Sequence, residues 1–331
     1  MFWNKIKLNL KLARIHSSVL TGLAPVCTAA AIGVSLSISH YIQLFIVGLL
    51  FHIFLFVLNE LKDIEIDKTS LELSKKPLVE GTISLKNAKI FVIFSIILIF
   101  ISSFVFFRNQ AFILTVISIV ALVSGGLYDY FGKRLPHADY MIAFMLFFVA
   151  LYGGFSITNS INFFVLIITL LAFFQMLINN ITAGLKDIDH DYLKGGLSTP
   201  LRLKVHVKNN KFYIPFVFIF YIIILKSLHI LFTVLPFYLN LITTKTWQLF
   251  LIGILILMSL MFLFRLLRMK IFNREKIKRA IGFHEMFAFM IVPILLFEYI
   301  GLEAAIFLSV LPVIWLGVWL KIIYGKFMPE I

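Results

Sequence analysis

Asn59-Glu60-Leu61-Lys62-Asp63-Ile64-Glu65-Ile66-Asp67 closes an apolar run that begins at Tyr41. A run of that length reads as a membrane helix, and its last turns carry carboxylates. Asn59, Asp63 and Asp67 are spaced four apart, so they climb one helical face over about 12 Å. Such a face is a column of hard oxygen ligands, the kind that suits Mg²⁺ also held by a phosphate. Acids at membrane depth are functional by default, because leaving them unpaired is expensive. Glu65 lies two residues from both Asp63 and Asp67 and is rotated off their shared face.

The stretch has a partner. Leu185-Lys186-Asp187-Ile188-Asp189-His190-Asp191 repeats residues 61–67 with five identities in seven, at a constant offset of 124. It too follows an apolar run, Ile161 to Ile181. Charged helix ends at a water interface explain one such stretch. Two copies with the same flanks point instead to internal duplication, with a site between the copies.

The 331 residues are 61% hydrophobic and 14% charged. A soluble domain is about 45–50% apolar and about 25% charged, so the chain reads as an all-α, polytopic membrane protein. Apolar runs near 17–38, 41–60, 88–107, 110–128, 139–157, 161–182, 212–235, 247–266, 284–300 and 303–323 predict nine or ten transmembrane helices around a central cavity. The last two runs are parted only around Gly301. Residues 1–331 read as one domain, with repeat halves at roughly 10–130 and 135–260 and extra helices over 284–323.

Lysine and arginine set the orientation. With a cytoplasmic N-terminus and ten crossings, only Arg108, Lys226 and Lys245 of the 30 fall outside cytoplasmic segments. Both acidic motifs and both termini are then cytoplasmic. Met1 to Arg14 reads as a basic amphipathic lead into the first span, not as a cleaved signal. The net charge of +14 is topological, and its spread over separate loops argues against nucleic acid as a partner. The densest loop, Arg265 to Gly282, either fixes orientation or meets an anionic substrate or lipid. Cys27 alone excludes an internal disulfide or cysteine metal cluster.

Two further loops join the first. One is Tyr128-Asp129-Tyr130-Phe131-Gly132-Lys133-Arg134; the other runs on from Asp191 to Gly195-Gly196-Leu197-Ser198-Thr199. With Lys76-Pro77 and Gly81 after the first motif, the chain resembles the UbiA superfamily of intramembrane prenyltransferases over roughly residues 10–240. That family has N-x-x-x-D-x-x-x-D after its second helix, a Tyr and a Lys-Arg pair after its fourth, and D-x-x-x-D after its sixth. Three departures stand out: Asn-Glu where many members have Asn-Asp, about two extra residues between Asp67 and Pro77, and one span beyond the usual nine.

The resemblance implies Mg²⁺-dependent transfer of a polyprenyl group from a prenyl diphosphate donor to an aromatic or lipid acceptor, through an allylic cation. Asn59, Asp63, Asp67, Asp187, Asp189 and Asp191 are the expected metal face, and all but Asp189 are also expected to bind substrate. Lys133, Arg134 and Tyr128 are the expected catalytic contacts to the diphosphate. Tyr128 reads equally as an interfacial anchor, and Lys62 and Lys186 as positive-inside charges. His52 and Asn180, each seven residues before a motif, read better as satisfied polar groups. Arg14 either meets an anionic acceptor or caps the first span. The alternative from another class is a transporter for an anionic lipid or metal ion. Transporter sites lie at the midplane, whereas these acids cluster at one face.

Overall fold

The computed structural model describes residues 2–68, 76–132, 135, 137–193 and 196–327. Helices dominate: α1 (Phe2–Leu12), α2 (Val19–Ala30), α3 (Ile38–Asp67), α4 (Leu85–Phe106), α5 (Ala111–Phe131), α6 (Asp139–Phe155) and α7 (Phe163–Ala183). Two short helices, α8 (Ile188–Leu193) and α9 (Thr199–Arg202), precede a hairpin of β1 (His206–Lys208) and β2 (Lys211–Tyr213). The chain then runs through α10 (Phe216–Tyr238), α11 (Thr246–Leu267), α12 (Arg274–Leu295) and α13 (Phe297–Tyr324). Among the described residues seven helices are long and apolar enough to cross a membrane, and the stretches Ile15–Ala30 and Asp139–Phe155 are shorter and apolar.

Several expected boundaries move, each for a local reason. The first span shortens to α2, because Gly33 takes a φ of +82° and residues 33–37 leave the helix. The run expected from 212 opens as a strand, and α10 begins only after Pro215. Asn209 and Asn210 both have positive φ, +49° and +60°, the turn that a two-residue hairpin needs. The basic loop from Arg265 is mostly helical: Asn273 caps α12, its side chain accepting from Lys276 N at 2.9 Å. At Gly301, where the sequence separates the last two runs, a φ of +77° kinks α13.

Two buried apolar clusters organise the bundle. One gathers residues from α2 to α7 with parts of α11 and α12; the other joins α7, α10, α11 and α12 near the hairpin. Inside a bilayer helices gain little from burying apolar surface against one another, so close approach and interhelical hydrogen bonds matter more. Gly153 lets α6 press on α2, where Thr28 Oγ1 also donates to the Ala150 carbonyl. Tyr152 and Ser103 join α6 to α4 at 2.9 Å, and buried Lys226 Nζ donates to Ser259 Oγ at 2.9 Å between α10 and α11.

A Cβ on Gly153 would fall 1.8 Å from the Pro25 carbonyl oxygen, so backbone must yield. Gly153→Ala is therefore expected to cost about 1–3 kcal/mol by overpacking. Thermal unfolding in detergent measures it. Gly126→Ala, with no atom of the described residues within 4 Å of the added carbon, is the matched control and should stay near wild type.

Candidate active site

The first motif rides on one unbroken helix. From Leu50 to Asp67, α3 contains neither glycine nor proline, and its last turns are rich in Leu, Glu and Lys, all good helix formers. The helix therefore carries Asn59, Glu60, Asp63 and Asp67 past the apolar run. The Asp67 side chain, and Lys133 and Arg134 altogether, lie outside the described residues.

The second motif folds differently despite its matching sequence. After α7 ends at Ala183, Gly184–Lys186 form a 3₁₀ turn, Asp187 takes φ −109° and ψ 7°, and α8 starts at Ile188. A glycine at the break lowers the cost of leaving the α-helix. The Pro200 ring also packs against Gly184, 3.4 Å from where its Cβ would be. Asp187 and Asp191 thus sit at either end of a turn, with Asp191 N donating to the Asp187 carbonyl at 3.0 Å.

Polar contacts draw the helix ends together. Asn59 Nδ2 donates to Asp129 Oδ1 at 3.2 Å, tying α3 to α5. Tyr128 Oη donates to Asn180 Oδ1 at 3.1 Å, tying α5 to α7. Asn180 Nδ2 then donates to Asp139 Oδ1 at 2.6 Å, and Thr199 Oγ1 donates to Asp139 Oδ2. Asp63 lies within electrostatic reach of both Tyr128 and Asp129. The ends of α3, α5, α6, α7 and α9 therefore meet at one end of the bundle.

Around this core the structure assigns partners to residues that the sequence left open. Asp189, expected among the metal ligands, has both carboxylate oxygens 2.9 Å from Arg274 Nη2, while Arg274 Nε donates to the Lys186 carbonyl at 3.0 Å. The second cluster in this geometry is presented by Asp187, which is exposed, and half-buried Asp191. Lys186 Nζ lies 4.0 Å from Asp187, and Lys62 Nζ sits 3.2 Å over the Tyr130 ring. His52 is buried between Thr21 Oγ1 at 3.4 Å and the Arg14 carbonyl at 3.3 Å, stacked on Phe56. Asn180 spends its amide on Tyr128 and Asp139. Both match the satisfied-polar reading.

Arg14 meets Glu60: its Nε donates to Glu60 Oε1 at 3.1 Å, and Nη2 contacts the same oxygen. Lys76 Nζ reaches that oxygen at 3.1 Å. The Asn-Glu departure thus has a structural reason. Glu60, next to Asn59 but rotated about 100° from it, faces two cations and not the motif face.

Sequence reasoning missed Asp129 and Asp139, and it read Arg274 only as one cation of the dense loop from Arg265 to Gly282. Asp129 had a signal, an acid in the last turn of an apolar run, and its Oδ2 is buried with no partner among the described residues. Asp139 opens α6 and was read only as a span boundary. The pairing of Arg274 with Asp189 had no signal, because the two stand 85 residues apart.

The donor set fits Mg²⁺. Asp63, Asp187 and Asp191 offer hard anionic oxygens from two elements. Among the described residues no three His, Cys, Asp or Glu converge into a protein-only metal centre.

The profile of the UbiA prenyltransferase family matches residues 18–291. No curated protein matches the chain. Solved structures with the same fold include a study of digeranylgeranylglyceryl phosphate synthase in membranes, with TM-score 0.65, 20% identity, and coverage of 90% of this chain and 100% of that one. A UbiA homologue from Aeropyrum pernix K1 gives 0.64 at 16% identity, covering 84% and 95%. A UbiA homologue from Archaeoglobus fulgidus, bound to GPP and Mg²⁺, gives 0.60 at 19%, covering 86% and 99%.

Proposed function

The chain belongs to the UbiA prenyltransferase family and is a prenyltransferase, and on that premise we propose how its residues work. It transfers a polyprenyl group from a prenyl diphosphate to an aromatic or lipid acceptor within the membrane, with Mg²⁺ as cofactor. The observation that carries this reading is the hydrogen bond from Tyr128, within electrostatic reach of Asp63 in the first motif, to Asn180 on α7, the helix that leads into the second. A donor with a charged head and an apolar tail has its natural station there, head at the mouth and tail between helices. The Archaeoglobus homologue's GPP and Mg²⁺ are of the same chemical class.

Asn59, Asp63, Asp67, Asp187 and Asp191 would hold the metal. When bound, Mg²⁺ neutralises the diphosphate, which carboxylates cannot approach unaided. Asp189 serves the same cluster through Arg274, which fixes α8 against α12. Tyr128, with its hydroxyl donated to Asn180, positions the helix ends. Lys133 and Arg134 stabilise charge building on the departing diphosphate, and the Arg fork suits bidentate contact. The apolar walls keep water from the allylic cation. The ten predicted runs correspond to α2–α7 and α10–α13; we take all ten to cross, with acid clusters and termini cytoplasmic, on the strength of the loop charges.

Purified protein is expected to release diphosphate from geranyl diphosphate in Mg²⁺ or Mn²⁺ and to stop in EDTA. Undiminished turnover in EDTA sinks the metal role. Screening acceptors in the same assay identifies the second substrate. Arg134→Gln is expected to lower kcat by about 10²–10³-fold, by analogy with a lost oxyanion donor. Lys133→Gln should act similarly or more mildly, since an ammonium lacks the fork. Wild-type kcat in both, at matched protein levels, would return these residues to anchors.

A further inference from the structure

The β-hairpin does not stand alone. Phe212 N donates to the Lys270 carbonyl at 2.8 Å, Phe272 N donates to the Asn210 carbonyl at 3.0 Å, and Lys211 bridges Ile271 antiparallel. Residues 270–272 thus add a third edge to β1 and β2. This small platform sits where α10 begins and α11 ends, at the membrane boundary on the acid-cluster side. It also abuts α8, and the chain leaves it through Asn273 directly into Arg274, the residue that holds Asp189.

Between the platform and the end of α11 lies an open groove of about 620 Å³. Ile214, Leu267 and Met269 supply an apolar floor; Tyr213, Arg268 and Lys270 supply an exposed polar rim. The floor continues onto outward faces of both helices, with Phe216 76% exposed on α10 and Phe264 43% exposed on α11. A guanidinium and an ammonium over an apolar slot at this depth match one ligand class: an anionic headgroup whose acyl chains lie in the bilayer. Orientation by positive charge requires cations here, but it requires neither a slot nor an apolar track leading out of it. Free phosphate would use the rim and leave the floor bare.

We propose that this groove binds an anionic glycerophospholipid, with Arg268 and Lys270 on its phosphate and the chains along α10 and α11. The bound lipid braces the strand that delivers Arg274 to Asp189.

Native mass spectrometry of delipidated protein, titrated with phosphatidylglycerol or phosphatidylcholine of equal chain length, tests the site without any turnover. A failure here is therefore separate from a failure of the prenyl-transfer reading. Wild type is expected to retain phosphatidylglycerol over phosphatidylcholine. Arg268→Gln/Lys270→Gln should bind it about 30-fold more weakly, two cations each contributing at an anionic headgroup. Lys86→Gln/Lys89→Gln removes the same charge from the exposed start of α4 and should bind as wild type. Hydrogen exchange over 206–213 and 270–273 should slow when phosphatidylglycerol is added. Equal retention by the groove variant and wild type, loss of preference over phosphatidylcholine, equal weakening by the α4 variant, displacement by inorganic phosphate alone, or unchanged exchange with lipid bound would each overturn the proposal.

Discussion

Asp63→Asn and Asp191→Asn are each expected to lower kcat for prenyl transfer by about 10³-fold or more while leaving the protein folded in the membrane. The amide keeps the size of the carboxylate and one of its oxygens. What it loses is the negative charge that draws a divalent cation to a hard-oxygen site. Both side chains are half-buried, so neither is a core group whose loss unfolds the bundle. Asp189→Asn provides the internal contrast. Its carboxylate is held by Arg274, so its loss should loosen α8 from α12 and lower stability, with a milder effect on kcat. Steady-state kinetics across a Mg²⁺ titration, with protein levels matched, separate the two behaviours. Wild-type turnover in Asp63→Asn or Asp191→Asn would remove that carboxylate from the site.

The second large effect is on stability. Glu60→Ala is expected to destabilise the protein by about 3 kcal/mol, lowering the unfolding midpoint by about 6–12 °C. The Glu60 side chain is 5% exposed and receives Arg14 and Lys76 on one oxygen. Removing it takes away the buried carboxylate that both cations share. The figure sits at the low end for a broken buried pair because Arg14 and Lys76 remain 33% and 20% exposed and can turn towards water. Arg14→Met/Glu60→Leu should recover much of the loss, since buried ion pairs are often replaceable by apolar groups of similar size. Some deficit should persist from Lys76, left without the acid. A Glu60→Ala midpoint within a degree of wild type would show that the triad contributes nothing. The contact fixes the chain leading into α2 and the segment after the first motif to α3, so activity should fall only as far as folded protein does.

The sequence by itself determined the class, the helical architecture and the two acidic motifs. Composition forces a membrane solution, and a bilayer permits only structures that satisfy their own backbone, so apolar runs translate into helices. A spacing of four translates directly into a shared face on α3, because a continuous helix makes sequence distance and spatial distance equivalent. That equivalence fails where the helix stops. Residues 185–191 match residues 61–67 closely, yet Gly184 and the packing of Pro200 turn the second copy into a 3₁₀ turn and a short helix. No local spacing rule reports a contact between side chains far apart along the chain. Only the tertiary structure therefore decided that Asp189 belongs to Arg274, that Glu60 belongs to Arg14 and Lys76, and that Asp129 reaches Asn59. The same holds for the platform beside α8: its Asn209-Asn210 turn was present in the sequence, but its third edge comes from residues some 60 positions later, brought there by the packing of α10, α11 and α12.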